Sequence, residues 1–374
     1  MTVALLVLAM QLFEVSADKV VWVGRFPELG GSQYLLDFVT GRFVPAEDAE
    51  LVQLMEAKQI VTRTELVSFR SQEAILAGKL TLPAAAGHYP AVVLIHGSND
   101  QDRDSLDPWV GFFVSRGLAV LSYDKRGVRE STGDWKHADF RDLADDTLAG
   151  VQLLRARKDI DPRRVGLFAI SQGGWIAPLV ASRNRDIAFI ILHAGPAIRV
   201  ADNNLRFIEA ELRGYGFPDQ EIARAMGYHR MNDEVTRDPS RWGELKALYD
   251  AAIARNVEWL REEPQPIDSW FRRFYRGVMD FDPGPVWAEV GCPVLAFFGE
   301  LDHNVPPEAN RHALEAVLRR RSADDSTVIV LPKANHLFLR AERGTRDEYG
   351  ELDSFVAGYF DVMATWLAER LRAS

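Results

Sequence analysis

A short apolar run that ends in a serine between very small residues constrains the fold of this 374-residue chain more than any other feature. Residues 165–170 have the length and apolarity of a buried strand, and residues 172–181 have the pattern of a helix, so Ser171 falls at the junction. A serine in such a sharp turn is held in strained backbone geometry, and the chain can pass only where the residues two before and two after it are very small. Ala169 and Gly173 meet this requirement.

The turn predicts a particular environment for the hydroxyl of Ser171. It would be exposed at the carboxyl end of a strand, and the first amides of the following helix would point at any anion that forms beside it. The same residues also fit a serine that simply caps a buried helix. The rest of the chain must therefore decide between a nucleophile and a cap.

Strands and helices alternate along most of the sequence. Strands are predicted at 65–69, 75–82, 91–95, 118–123, 165–170, 187–192, 294–298 and 327–331, and helices at 106–116, 140–157, 172–181, 308–320 and 354–371. Fully apolar strands separated by helices are typical of an α/β fold with a doubly wound, mostly parallel sheet. Ligands of such folds bind beyond the carboxyl ends of the strands.

Two segments depart from this alternation. Residues 197–287 have helical periodicity and no buried strand, which predicts a helical cap inserted into a core of residues 64–196 and 288–374. Residues 1–63 predict an N-terminal extension or small accessory domain, with hairpin strands at 34–38 and 43–44 and a helix at 46–58. Six aromatic residues of the cap are interpreted mostly as its own core: Trp242, Trp259, Trp270, Phe271, Phe274 and Tyr275.

Composition excludes some classes of function and leaves the location of the protein open. The net charge of -10 argues against a nucleic-acid partner, and no apolar stretch is long enough to cross a bilayer. Residues 3–10 are apolar, so residues 1–17 suit either a signal peptide of a periplasmic or secreted protein or the first buried element of a cytoplasmic one. The single cysteine, Cys292, is interpreted as a core residue, and nothing in the sequence indicates the oligomeric state.

A serine hydroxyl is a weak nucleophile at neutral pH and needs a base, with a third group that orients that base. Four of the eight histidines fall just past a predicted strand on the edge of the sheet where Ser171 lies. They are His96, His193, His303 and His336.

Several motifs together resemble one family. The segment from Ala169 to Gly173 is similar to the nucleophile elbow Gly-x-Ser-x-Gly of the α/β-hydrolase family, with alanine in place of the first glycine. His96-Gly97-Ser98 and the turn Tyr123-Asp124-Lys125-Arg126-Gly127 resemble the esterase branch of that family. Arg129 stands where that branch usually has glycine.

The resemblance implies the roles of the site residues. In the family's order of serine, acid and histidine, Asp302 and His336 take the places of the acid and the base. The backbone amides of Ser98 and Gln172 would form the oxyanion hole. Asp302 lies too far before the next helix to be its cap, and His303, being adjacent to it, would point away.

Two further expectations concern residues outside this set. His96 is expected to support its loop, and Asp124 and Arg126 are expected to pair with each other and brace their turn.

The implied function is that of a serine hydrolase, acting on carboxylic esters of short or medium acyl chain without a cofactor. A peptidase or acyltransferase of the same fold and a non-catalytic binding protein remain alternatives. The acidic loop 99–104 resembles a calcium loop, but it lacks the glycine at its sixth position and the glutamate at its twelfth that such a loop needs. No metal is therefore expected.

Overall fold

The structure is a computed structural model that describes residues 10–16, 19–25, 33–45, 58–260, 262–321 and 325–372. Its strands are β1 (Gln11–Ser16), β2 (Lys19–Arg25), β3 (Gln33–Asp37), β4 (Phe43–Pro45), β5 (Lys58–Gln59), β6 (Thr62–Ser71), β7 (Ala74–Pro83), β8 (Tyr89–Ile95), β9 (Ala119–Tyr123), β10 (Ile160–Ile170), β11 (Ile190–His193), β12 (Val294–Gly299) and β13 (Thr327–Leu331). Its α-helices are α1 (Asp107–Ser115), α2 (Phe140–Arg155), α3 (Gly173–Arg183), α4 (Val200–Gly214), α5 (Asp219–Arg237), α6 (Trp242–Ala254), α7 (Trp270–Val278), α8 (Gly284–Trp287), α9 (Pro307–Leu318) and α10 (Tyr359–Arg372).

Eight strands form the central sheet, in the order β13-β12-β11-β10-β8-β9-β7-β6. The six strands from β13 to β9 are parallel to their neighbours, and β7 and β6 complete one edge as an antiparallel hairpin. The prediction of a doubly wound, mostly parallel sheet is confirmed. Since parallel strands end at the same edge, the residues that follow β8, β10, β12 and β13 lie along one rim.

Helices cover both faces of the sheet, which explains why its central strands are mostly apolar. Every residue of β9, β11 and β12 is buried. The predicted helix 354–371 begins later, at Tyr359, because Phe355 first makes a β-bridge with Leu339 and the left-handed Gly358 (φ 83°) precedes the helix. The sequence pattern could not show this bridge, since its partner lies in a distant loop.

A second, antiparallel sheet of five strands precedes the core, in the order β4-β3-β2-β1-β5. The predicted hairpin at 34–44 is confirmed as β3 and β4. Trp22 of β2 is fully buried and belongs to the same hydrophobic cluster as Trp109 of α1 and Phe360 of α10. The amino-terminal sheet therefore packs directly on the helices of one face of the core.

Two predictions for the amino-terminal region fall largely outside the described residues. These are the apolar segment 3–10, of which the structure describes only Met10, and the helix 46–58, of which it describes only Lys58, in β5.

A helical insertion, residues 200–287, separates β11 from β12 and contains α4 to α8. It has two small hydrophobic clusters of its own, one around Ala225 and the other around Val235 and Leu245. The boundaries proposed from sequence for this insertion, 197 and 287, remain a prediction.

Two smaller expectations can be compared with the described part of the chain. Cys292 is buried, and its burial raises the pKa of the thiol to about 11, as suits a core residue. Within the residues that the structure describes, no helix combines the length and the apolarity that a membrane span requires.

Candidate active site

Ser171 occupies the sharp turn between β10 and α3 that the sequence predicts. Its φ of 50° is in the left-handed region, which a residue with a side chain adopts only under strain. The amide of Ser171 donates to the carbonyl of His193 over 2.9 Å, which ties the turn to the end of β11. A Cβ atom on Gly173 would lie 3.0 Å from the carbonyl oxygen of Ile95, so the turn has little room there for any larger residue.

The imidazole of His336 lies between Ser171 and Asp302. Its Nε2 atom is 3.0 Å from the Oγ atom of Ser171, and its Nδ1 atom is 2.9 Å and 3.0 Å from the two carboxylate oxygens of Asp302. A carboxylate can only accept, so Nδ1 carries the proton and Nε2 presents its lone pair to the serine hydroxyl. The three residues are thus arranged for proton transfer from Ser171 to His336.

The carboxylate of Asp302 is almost fully buried and is fixed by the backbone. One of its oxygens accepts a hydrogen bond of 2.9 Å from the amide of Val305, and the residue is 1% exposed. The side chain of Asp302 therefore stabilises the loop after β12 and faces His336. It does not cap α9, whose N-cap residue is Pro306.

A buried chain of hydrogen bonds supports the loop that carries His336. The indole of Trp109 donates to the hydroxyl of Tyr359 over 2.9 Å, and that hydroxyl is 2.8 Å from Nδ1 of His193. The Nε2 atom of His193 is 3.3 Å from the carbonyl oxygen of His336, to which it can only donate. His193 is therefore protonated on Nε2 and accepts from Tyr359 on Nδ1.

The remaining histidines of the rim have other partners. His96 is buried, its Nε2 atom donates to the carbonyl of Tyr123 over 2.6 Å, and burial lowers its pKa to about 3. This agrees with the expected support of its loop. His303 points away from Asp302, to the carboxylate of Glu211 in α4, 2.9 Å away.

Two backbone amides near Ser171 have no acceptor within the part of the chain that the structure describes. Among the described residues, neither the amide of Ser98 nor that of Gln172 donates a hydrogen bond to a protein atom. Gln172 immediately precedes α3, and a Cβ atom on Gly97 would lie 3.4 Å from the Cβ atom of Ser171, so both amides lie close to the serine. They are the residues that the sequence predicts for an oxyanion hole.

Comparison with known proteins shows the family of this chain. The sequence profile of the alpha/beta hydrolase family matches residues 92–347, more than half of the chain. The chain belongs to the alpha/beta hydrolase family.

A curated relative and a solved structure that are similar to this chain bear the name esterase. Esterase EstD from Thermotoga maritima is 26% identical over 316 residues, which are 79% of this chain and 66% of the relative. An esterase structure from Pyrococcus furiosus has a TM-score of 0.53 at 13% identity and covers 83% of this chain and 92% of its own, a likeness that concerns the fold.

A thiohydrolase from Aspergillus aculeatus, aneE, is 33% identical over 118 residues, which are 31% of this chain and 36% of its own. The matches to EstD and aneE thus span less than two thirds of either relative's length.

Lys125 is a site residue that the sequence analysis missed. Its Nζ atom donates to the carbonyl oxygens of Gly97 at 2.6 Å and Asn99 at 2.9 Å, and it lies 3.5 Å from the side-chain oxygen of Gln172. The lysine is 2% exposed, and burial lowers the pKa of its ammonium to about 7. The sequence did contain a signal for this residue, because Lys125 follows a buried strand at the edge of the sheet that carries Ser171.

The ion pair predicted between Asp124 and Arg126 is wrong. The guanidinium of Arg103 binds the fully buried carboxylate of Asp124 at 2.5 Å and 3.0 Å, whereas Arg126 binds both carboxylate oxygens of Asp146 in α2 at 2.7 Å. Each residue of the turn thus pairs with a different distant element. Asp124 and Arg126 are close in sequence, which suggested that they pair with each other. The directions of their side chains exclude that pair.

The acidic loop 99–104 and the turn after Lys125 are connected by charge. Asp104 binds both Lys79 and Arg129, and the indole of Trp135 donates to Asp100. Arg129, the residue that replaces the family's usual glycine, has φ 49°, so the left-handed turn is kept at the cost of strain. No cluster of three potential metal ligands occurs among the residues whose positions are described.

A cavity of about 480 Å³ extends from Ser98 and Gln172 to the helical insertion. Four of the six aromatic residues interpreted as the core of the cap line it: Trp270, Phe271, Phe274 and Tyr275. That interpretation is therefore wrong for most of them, and only Trp242 and Trp259 pack within the insertion's own clusters. The sequence pattern could not separate the two roles, because an amphipathic helix has the same spacing of aromatic residues whether its aromatic face packs in a core or lines a cavity.

The hydrogen-bond chain behind His336 gives a stability prediction. Replacing Tyr359 with phenylalanine should lower the free energy of unfolding by about 1–3 kcal/mol, because it removes the buried hydroxyl that accepts from the indole of Trp109 and donates to Nδ1 of His193. Urea denaturation measures this loss. Tyr228 is the control, because it is buried and its hydroxyl bonds to no described residue, so Tyr228→Phe should change the value by less than about 0.5 kcal/mol. Equal effects of the two changes would contradict the proposed chain.

Proposed function

We propose that this α/β hydrolase cleaves carboxylic esters of short or medium acyl chain through an acyl-enzyme on Ser171. The observation that carries the proposal is the ring of His336, within hydrogen-bond distance of both Ser171 and Asp302. The esterase relatives support the reaction class. The cavity beside the site, with its apolar and aromatic lining, has a size typical of small-molecule pockets and supports the substrate class.

The geometry supports a specific order of proton transfers. His336 takes the proton of Ser171 on Nε2 as the oxygen attacks the ester carbonyl, and Asp302 stabilises the imidazolium that forms. The amides of Ser98 and Gln172 donate to the oxyanion. Nε2 then returns the proton to the departing alcohol, and a water molecule, deprotonated by His336, releases the acid and restores the serine.

Lys125 would act on this oxyanion hole as a positioning residue. The carbonyl of Gly97 and the amide of Ser98 belong to one planar peptide unit and point in opposite directions. By binding that carbonyl, and that of Asn99 on the other side of Ser98, the ammonium fixes the plane and directs the amide away from itself. It also polarises the peptide group, which strengthens the amide as a donor.

The nucleophile is tested by alanine replacement. Ser171→Ala should lower kcat for p-nitrophenyl butyrate by at least about 10³-fold, because no other group replaces the serine hydroxyl. Ser182→Ala, on the helix that follows Ser171, is the matched control; its hydroxyl donates only to a nearby helical carbonyl, so activity should be kept. A series of p-nitrophenyl esters should give its highest kcat/KM at short or medium acyl length. Full activity of Ser171→Ala would remove the assignment of Ser171 as the nucleophile. Faster hydrolysis of thioesters or amides than of esters would change the proposed substrate class.

The role of Lys125 is tested by the pH dependence of kcat. Since burial lowers the lysine pKa to about 7, its charge is lost as pH rises through 7, and the wild-type rate should decline there. Lys125→Met should lower kcat by about 10–100-fold with little change in KM, because the oxyanion forms only in the transition state.

The pH profile separates this role from a purely structural one. The decline near pH 7 should be absent in Lys125→Met, and in Lys125→Arg it should move to higher pH, because arginine stays charged. A decline of the same shape in all three proteins would contradict the proposed role.

A further inference from the structure

The cavity described above has chemically different ends. One end is formed by Ser98 and Gln172, beside the reacting serine. The other lies within the helical insertion, between α5 and α7, where it is lined by Asp233, Phe271, Phe274 and Tyr275. A substrate that is cleaved at Ser171 would direct part of its structure to this second end.

Asp233 is a buried carboxylate at the second end of the cavity. It is 8% exposed, and the hydroxyl of Tyr275 donates to one of its oxygens over 3.1 Å. No described cation lies within ion-pair distance of it, since the nearby Arg237 binds Asp280 at 2.6 Å and Arg199 binds Asp202 at 2.7 Å. A carboxylate has about four acceptor positions, so this one has room for further donors from the cavity.

The charge state of Asp233 is compatible with an ionic partner. Burial raises the pKa of its carboxyl to about 6, while the hydrogen bond from Tyr275 opposes that rise. At neutral pH the carboxylate form still prevails, because the pH is above that value. A buried anion of this kind is stabilised by a cation that enters the same desolvated space.

The walls around Asp233 also favour a cation. The rings of Phe271 and Tyr275 are stacked at 6.0 Å, and Phe274 meets Trp135 edge to face at 5.5 Å. Faces of aromatic rings attract ammonium groups, most strongly where water is excluded. Other cations border the same cavity: the exposed Arg346 lies over the ring of Phe207 at 5.6 Å, Lys136 over Trp270 at 5.1 Å and Lys125 over Trp135 at 5.1 Å. Among the described residues, none of the three forms an ion pair with Asp233.

We propose that Asp233 and the surrounding aromatic rings form a subsite for an ammonium group carried by the ester substrate. This inference rests on the proposed esterase function and narrows its substrate class to esters with a cationic group remote from the scissile bond. The carboxylate supplies the counter-charge, and the rings contact the alkyl groups of the ammonium ion. A substrate with an uncharged hydroxyl could also donate to Asp233, and the experiment below distinguishes it from a cationic substrate.

Two p-nitrophenyl esters with the same acyl skeleton test the proposal. One ends in a trimethylammonium group and the other in the isosteric, uncharged tert-butyl group. The wild-type protein should hydrolyse the cationic ester with a kcat/KM about tenfold higher or more, which corresponds to one ion pair of moderate strength. Asp233→Asn should reduce that ratio by about the same factor.

A matched control distinguishes a local effect of Asp233 in the cavity from a general effect of removing one negative charge. Asp219 is on the same helix as Asp233, is highly exposed and pairs with Arg213, so Asp219→Asn removes the same charge outside the cavity and should leave the ratio unchanged. Equal loss in both variants would overturn the subsite. A third ester of the same skeleton, ending in a hydroxyl group, tests for a neutral donor. If the wild-type protein prefers it to the other two, Asp233 binds a neutral donor and the proposal is overturned.

The two levels of the proposal fail in different ways. If neither ester is hydrolysed, the esterase function fails and the subsite fails with it. If both are hydrolysed and the wild-type protein does not prefer the cation, the esterase function stands and the subsite is wrong. The wild-type ratio decides this second point even if Asp233→Asn does not fold.

Discussion

The position of one imidazole ring determines how the rest of this structure must be arranged. His336 has two ring nitrogens, and each faces a different partner, the hydroxyl of Ser171 and the carboxylate of Asp302. These three residues follow β10, β12 and β13, so they meet only if those strands are parallel and end at one rim. A doubly wound sheet satisfies this condition, and it also provides the helix amides that face the serine.

Buried polar groups behind the rim keep this geometry in place. β11 lies between β10 and β12, and its last residue, His193, contacts both sides of the site: its backbone carbonyl accepts from Ser171, and its ring donates to the carbonyl of His336. On the opposite side, Lys125 fixes the peptide that precedes Ser98. Such groups are costly to bury, and their hydrogen bonds offset that cost only when all partners are placed correctly. The conformation of the site is therefore tied to the packing of the core.

The sequence was sufficient for the parts of the structure that depend on local rules. The length and apolarity of the strands predicted the sheet, and the small residues around Ser171 predicted the turn, because both are properties of a few consecutive residues. It was insufficient where partners are distant. Asp124 and Arg126 are two residues apart, yet they bind Arg103 and Asp146, and only the folded chain brings those groups near. The aromatic residues of α7 gave no indication of whether they face a core or a cavity.

The central claim is that Ser171 is a nucleophile activated by His336, and covalent labelling tests it most directly. A fluorophosphonate probe, which reacts with activated serines, should add one adduct to the intact protein, and peptide mass spectrometry should locate it on Ser171. Replacing His336 with alanine should slow the labelling strongly, because the serine then lacks its base. Labelling of another residue, or labelling of Ser171 at an unchanged rate without His336, would contradict the account.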